Sequence, residues 1–463
     1  MPYQNEFARK TTHFDFVKNP EIQAFLNSCE YLIPPNEKEA RELIRVFQKP
    51  PRPSKIELPR LILATDGSYY ESALNDRIPS TRVGYIKIGA VLFSLEEFAN
   101  LHEGHFVDPF KVAALQDNNT SLAFVLPSAN VRLSGYSSVR DSFRAALDEQ
   151  LLSEKTRFDP KNFHTSLRGT LFHLASRRPG EMGTDSPFRL KLHKCPTCGK
   201  GPIEIEDKLE QQFCPHCRAP VYPSDCLRLW EEVHDYQSNG TALSRLMMIL
   251  EHLIPIHYMR FIQQKAFLAL TKIAFFVDGP LAIFGNAAWL HRSIMIYLYE
   301  INEKLQRKGM PPILMIGLQK RGQIVDYANM IERFLPPNSL FAIEDEYRYK
   351  YILANREPSK HGFGFETYYG QDFIFKTREG KSFVFGLSYP FKSKEEPGSD
   401  FAHEKTEWHR YINLPVAVQL IEHLQTELYQ DAVIPIALAH RYTAISLQPG
   451  GRVLDLLTRR ALA

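Results

Sequence analysis

Two sets of residues in this 463-residue chain have types and spacings fit for chemistry. The first is made of thiols. Cys195-Pro-Thr-Cys198 and Cys214-Pro-His-Cys217 form two Cys-x-x-Cys pairs, separated by about fifteen residues, the spacing that lets two knuckles fold around one tetrahedral zinc ion. With all four positions filled by protein, such an ion has no open coordination place and is structural rather than catalytic. His216 and Cys226 lie near enough in sequence to substitute as ligands, although each reads more simply as a bystander, and Cys29 reads as a core thiol. A zinc ribbon alone does not fix function, because such knuckles bind nucleic acid, bind protein, or staple a loop.

The second set is made of carboxylates. The apolar run Ile273–Val277 delivers Asp278 to the turn signal Gly279-Pro280, and Leu61–Thr65 runs in the same way into Asp66-Gly67. Asp-Gly is first a turn signal, and the second run is read as a hairpin that turns at Asp66. Two such carboxylates at the ends of buried strands also suit a shared metal site. Clustered carboxylates repel one another unless a divalent cation joins them, and magnesium or manganese prefers oxygen ligands. Glu251, within the apolar helical stretch Leu246–Leu253, is either a third such carboxylate or a water-facing residue paired with Arg245 or His252. His440 closes the apolar run Val433–Ala439, read as a strand, where it is either a hydrogen-bonded structural residue or part of a site. Lys320 and Arg321, after the strand Ile313–Leu318, are loop charges or phosphate contacts.

The elements that must position these residues alternate. Strands are expected at Leu58–Gly67, at 83–93 and at Ile313–Leu318. Helices are expected at Val139–Lys155 with a solvated charged face, at Ala242–Leu270 broken or kinked at Pro255, at Trp289–Gly309, at Asp326–Arg333 and at Leu414–Tyr429. Short strands such as Phe383–Leu387 fall within 338–400. Strand and helix in alternation predict an α/β fold. Apolar residues make up 44% and charged residues 24% of the chain, an ordinary globular balance, and a net charge of +3 does not demand a polyanionic partner. The N-terminal residues lack the apolar core of a signal peptide, and no run reaches the roughly 18 apolar residues of a membrane span. Four of six cysteines in one metal pattern fit a reducing compartment, so the expected location is cytoplasmic.

In order and spacing these pieces resemble the NurA nuclease family, which works in DNA end resection beside the HerA-type hexameric translocase. The residues that carry the resemblance are Asp66-Gly67-Ser68, Glu251, Asp278-Gly279-Pro280-Leu281, Lys320, Tyr369-Gly370-Gln371-Asp372 with Phe383–Pro390, and Ala439-His440. The resemblance implies an RNase H-like mixed sheet with flanking helices, a manganese- or magnesium-dependent site and a ring-like homodimer. It implies Asp66, Glu251 and Asp278 as ligands of that metal, His440 as a further ligand or proton-transfer residue, and Lys320 as a phosphate contact. The expected division is a helical arm (1–56), a first part of the core (57–188), the inserted zinc ribbon (189–228) and a second part of the core (229–463). The ribbon departs from the plainer archaeal members and points to a bacterial branch that serves defence or plasmid maintenance. The rival reading is a non-catalytic subunit that docks DNA or an ATPase through its ribbon, with both Asp-Gly pairs as turns.

Overall fold

Leu61–Ala73 forms one uninterrupted strand, β1, and what lies beside it determines the rest of the architecture. The computed structural model describes residues 14–29, 34–75, 77–99, 102–103, 106–107, 120–353, 357–395, 398, 400–425, 433–445 and 450–462. Along its full length β1 pairs antiparallel with β2 (Arg82–Ser94). On its other side only Leu61–Thr65 are paired, in parallel, with Ile273–Val277 of β4 (Ile273–Asp278). The hairpin turn therefore does not fall at Asp66-Gly67. It falls after Ala73, where Leu74 N–H donates to Thr81 O. The reason lies in packing rather than in turn chemistry. Gly67 does not have a positive φ, and a Cβ built on it would meet Ile88 Cδ1 and Met247 Cγ at 2.7 Å and Glu251 Oε1 at 2.9 Å. Its glycine is the space into which helix α3 (Gly240–Lys265) presses.

The remaining strands are β3 (Thr120–Pro127), β5 (Leu314–Gln319), β6 (Ser339–Ala342), β7 (Gly370–Lys376) and β8 (Ser382–Ser388). They complete one eight-stranded sheet in the order β6-β7-β8-β5-β4-β1-β2-β3. Strands β1, β4 and β5 run parallel, and every other pairing is antiparallel. Helices α1 (Val139–Leu152), α2 (Leu167–Ala175), α4 (Leu290–Gln306), α5 (Gln323–Ile331), α6 (Leu414–Leu424), α7 (Ile434–Thr443) and α8 (Gly450–Leu462) accompany the sheet and α3. Side chains alternate along β1, so Thr65 and Gly67 face α3 while Asp66 faces α7 on the other side.

Several expectations are corrected here. Val433–Ala439 is not a strand: the run lies in α7, whose residues Ile434–Ala439 are all buried. A continuous apolar run carries no period to separate strand from helix, and Pro435 in the first turn suits a helix. Helix α3 is not broken at Pro255 but continues through it for 26 residues in all. Helix α6 ends at Leu424, short of Tyr429, and residues 426–430 lie outside those described. Cys29 is exposed, not a core thiol. The charges of α1 are not all solvated either, because the inserted segment and α2 pack on them. Arg144 Nη2 pairs with Asp225 Oδ2 at 2.7 Å, and Asp148 Oδ2 with Arg168 Nη1 at 3.2 Å. Buried ions of this kind persist only when paired.

Two buried histidines hold α3 in place. His257 Nδ1 meets Thr170 Oγ1 at 2.7 Å, Nε2 meets Thr156 O at 2.9 Å, and the ring stacks on Phe158. His252 Nδ1 meets Tyr369 Oη at 2.7 Å. Burial lowers His252 to about 4 and, with Arg260 adding, His257 to about 3, against 6.5 for a solvated imidazole. Because the folded values lie below the unfolded one, the unfolded chain binds more protons between them. The stability contribution is thus complete above about pH 7 and is lost as the pH falls. Urea unfolding followed from neutral pH down to about pH 4 should show a plateau and then a decline, on the order of 3 kcal/mol from His252 alone, and His257→Gln should make the decline shallower.

Candidate functional site

The register of two strands builds the centre of the site. Thr65 lies opposite Val277, so the next residues, Asp66 and Asp278, emerge side by side where β4 ends. Asp278 also pairs in register with Leu318 of β5. Two residues beyond, Lys320 turns back and its Nζ reaches Asp278 Oδ2 at 2.8 Å. Gly279, at φ +96°, makes the turn that frees the strand end, and its N–H donates to Leu318 O. Asp66 is 2% exposed. Its Oδ1 accepts from Gly67 N–H at 2.8 Å, and its Oδ2 lies 2.9 Å from His440 Nδ1 on α7. Burial raises Asp278, with Lys320 opposing and Asp66 adding to the shift.

One ligand atom each from Asp66, Asp278 and His440 lies within 4.8 Å of the others, so this trio could hold a metal ion. Glu251 is not in the trio. It stands on α3 behind Gly67, 6% exposed. Burial, then the carboxylates of Asp66 and Asp278, pushes it well above the ordinary carboxylate range, against the Gly67 amide and Lys320. The water-facing alternative for Glu251 is therefore wrong, as are both partners considered for it: Arg245 pairs with Glu232, and His252 with Tyr369. Asp66 and Asp278 thus both act against the ionised form of Glu251 while Lys320 opposes them, a balance that a bound cation would relieve.

The cysteines converge as a second group. Cys195, Cys198, Cys214 and Cys217 could hold a metal ion, with their sulfurs within 4.8 Å of one another. Each pair sits on a matching knuckle. Thr197 N–H points at Cys195 Sγ and His216 N–H at Cys214 Sγ, both at 3.4 Å, while Gly199 and Arg218 take positive φ at equivalent places. Cys226 is buried apart from the group, and His216 contributes only its backbone. The ribbon strands, Arg189–Leu192 with Ile203–Glu206 and Gln212–Phe213 with Pro220–Val221, send Leu190, Leu192, Ile203, Ile205 and Val221 into the main core.

A NurA-domain family model matches residues 60–445. The chain belongs to the NurA family. Proteins of this family are generally nucleases. A crystal structure of NurA is similar at 14% identity and a TM-score of 0.26, with 98% of this chain and 96% of that chain covered. No curated protein matches the sequence. Both Asp-Gly pairs, Glu251, Lys320, His440 and the ribbon all fall inside the NurA domain.

Sequence reasoning did not find what braces β5 beneath Lys320. Gln319 Nε2 donates to Asp372 Oδ1 at 2.8 Å, and Arg348 pairs with Asp372 Oδ2 at 3.0 Å, all three buried. Arg348 lies in DEYRYK, which reads as surface, so no periodic signal marks it. The knuckle geometry gives a direct test of the ribbon. Cys198→Ser should lower tightly bound metal from one ion per chain toward none by elemental analysis. Because ribbon residues are part of the core, the same change should also lower the unfolding temperature.

Proposed function

We propose that this chain is a divalent-metal-dependent deoxyribonuclease, with Asp66, Asp278 and His440 as metal ligands. The observation that carries the reading is the convergence of these three groups, from positions far apart in the chain, onto adjacent strand ends and α7. The donor set fits manganese or magnesium, since carboxylate oxygens dominate it and their buried charge is otherwise unbalanced. Such an ion, when bound, supplies Lewis acidity toward a phosphate oxygen and activates a water for phosphodiester hydrolysis.

The chain's own residues divide the remaining work. Glu251 places a third carboxyl behind the pair, one whose ionised form a bound cation would favour. Lys320 holds Asp278 in place and presents a cation where a phosphate would approach. His440 is exposed at the rim, with 52% of its side chain accessible, so its imidazole is open to substrate and solvent while Asp66 fixes its orientation. The parallel trio β1-β4-β5, widened by antiparallel strands, supports the RNase H-like reading of the sheet. The four-cysteine group suits a structural zinc ion, with four thiolates and no open place.

From the resemblance we carry forward DNA as substrate, a HerA-like hexameric ATPase as partner, a homodimer, a cytoplasmic setting, and a role in end processing or anti-phage defence. Among the described residues no helix is long and apolar enough to cross a membrane. The non-catalytic alternative required both Asp-Gly pairs to be turns, and Asp66-Gly67 lies within a strand. Exposed Leu209 and Phe213 nevertheless favour a docking role for the ribbon alongside catalysis.

Asp66→Asn and Asp278→Asn should each lower manganese-dependent cleavage of linear DNA by roughly a thousandfold or more while circular dichroism stays native. Undiminished cleavage by either folded variant would remove the metal site from the reaction. A pure binder would hold DNA equally in EDTA and in manganese, and leave it intact, as long as the ribbon keeps its metal. Assay of the chain alone and then with the ATPase tests whether cleavage depends on threading.

A further inference from the structure

Gly279 has open space around it, so the turn Asp278-Gly279-Pro280 sits where its two ends are gripped. One end is held by β5, through Gly279 N–H and Leu318 O. The other end, Leu281–Ile283, lies against Thr367–Tyr369. Ile283 N–H donates to Thr367 O at 2.9 Å, Tyr369 N–H donates to Leu281 O at 2.8 Å, and Ala282 pairs antiparallel with Tyr368. The Leu281 side chain is buried over glycines of three strands. A Cβ at Gly317 of β5 would meet Gly279 O at 2.6 Å and Leu281 Cδ2 at 3.0 Å. One at Gly370 of β7 would meet Leu281 Cβ and Cδ1 at 2.8 Å, and one at Gly386 of β8 would touch Leu281 Cγ at 3.6 Å. The glycine floor leaves this leucine one seat.

The segment on which Leu281–Ile283 leans is itself pinned by a lysine far along the chain. Lys394 is 6% exposed, and its Nζ donates to Phe365 O at 2.8 Å, to Gly364 O at 3.1 Å and to Tyr368 O. An ammonium carries three N–H donors and no acceptor, so these carbonyls use every donor it has. The rings of Phe365, Tyr389 and Phe401 stand around it, with centroids 5.7, 5.5 and 5.8 Å from Nζ. Taking a lysine out of water is costly, and an apolar side chain of the same length would fill the space among the rings. It would not tie three carbonyls of one turn together. One of the three belongs to Tyr368, the residue paired with Ala282. Ala282 N–H in turn donates to Pro280 O at 2.7 Å, inside the turn that follows Asp278. Lys394 is thereby linked to a carboxylate of the site through two short steps of backbone.

We propose that Lys394 is a positioning residue for the metal site: by clamping 364–368 it fixes the turn behind Asp278, and with it the affinity of the site for its cation. This rests on the reading of Asp66, Asp278 and His440 as metal ligands. Calorimetric titration of the full chain with manganese, the ribbon metal in place, tests it beside cleavage of linear DNA across a range of manganese concentrations. Lys394→Met keeps the stem among the rings and removes the donors. It should weaken manganese binding roughly tenfold or more. The manganese concentration for half-maximal cleavage should rise by the same factor, while the rate at saturating manganese stays close to that of the wild type. Gly317→Ala, which pushes on the turn through Gly279 O, should do the same with Lys394 intact. Arg52→Met, which breaks the pair with Glu422 elsewhere in the molecule, should lower the unfolding temperature and leave manganese binding unchanged. Wild-type manganese binding by either Lys394→Met or Gly317→Ala would overturn the positioning role. An equal loss in Arg52→Met would do so too, because the loss would then follow from destabilisation in general. If Lys394→Met and Lys394→Gln both fail to fold, the lysine is a folding determinant and the proposal falls. A wild type that binds manganese no better than Asp278→Asn would instead overturn the metal site itself, and the positioning role with it.

Discussion

The site depends on one pairing, the parallel contact of Leu61–Thr65 with Ile273–Val277. It brings two carboxylates together at a depth where their mutual repulsion is little screened. Such an arrangement raises the free energy of the empty fold, so the surroundings are built to hold it. Lys320 contributes one positive charge, the Gly67 amide directs a dipole at Asp66, and a packed α3 keeps Glu251 from retreating to water. Each of these supports acts on an oxygen that a cation would otherwise share.

Glycine does unlike work at the two Asp-Gly pairs, although the dipeptides look the same. At Gly279 the backbone takes φ +96° with open space around it, which is a conformational demand. At Gly67 the demand is for volume, since any side chain would collide with Ile88 and Met247. One holds the strand end free and the other admits a helix. Both place a carboxylate without giving it freedom to move.

Much of this was legible in the residues, and the illegible parts share a cause. The Cys pairs are local, so spacing alone located the ribbon's metal group. Asp278 was legible because a buried run and a Gly-Pro stop it in sequence. The true course of β1 was hidden, because its continuation past Asp66 is determined by seven pairs with Arg82–Ile88 of β2 rather than by its own composition. The helix that carries His440 was hidden because an unbroken apolar run has no period. Glu251 could not be resolved from pattern, since its burial depends on Gly67, nearly two hundred residues earlier. Arg144 and Asp148 looked like surface charge because their partners, Asp225 and Arg168, come from other elements. Long-range pairing, then, is what a single sequence conceals most.

The chain order has a consequence for how the protein is made. Strands β1 to β3 emerge first from the ribosome, but β1 gains its second neighbour only when β4 appears, more than two hundred residues later. Until then one edge of the nascent sheet is open, and open edges invite pairing with other chains. The ribbon is synthesised within that interval and can close on an ion through purely local contacts. Its apolar strands are then ready to pack beside α2 before β4 arrives. The availability of metal during translation would thus influence how much of the chain reaches the native fold, well before any DNA is encountered.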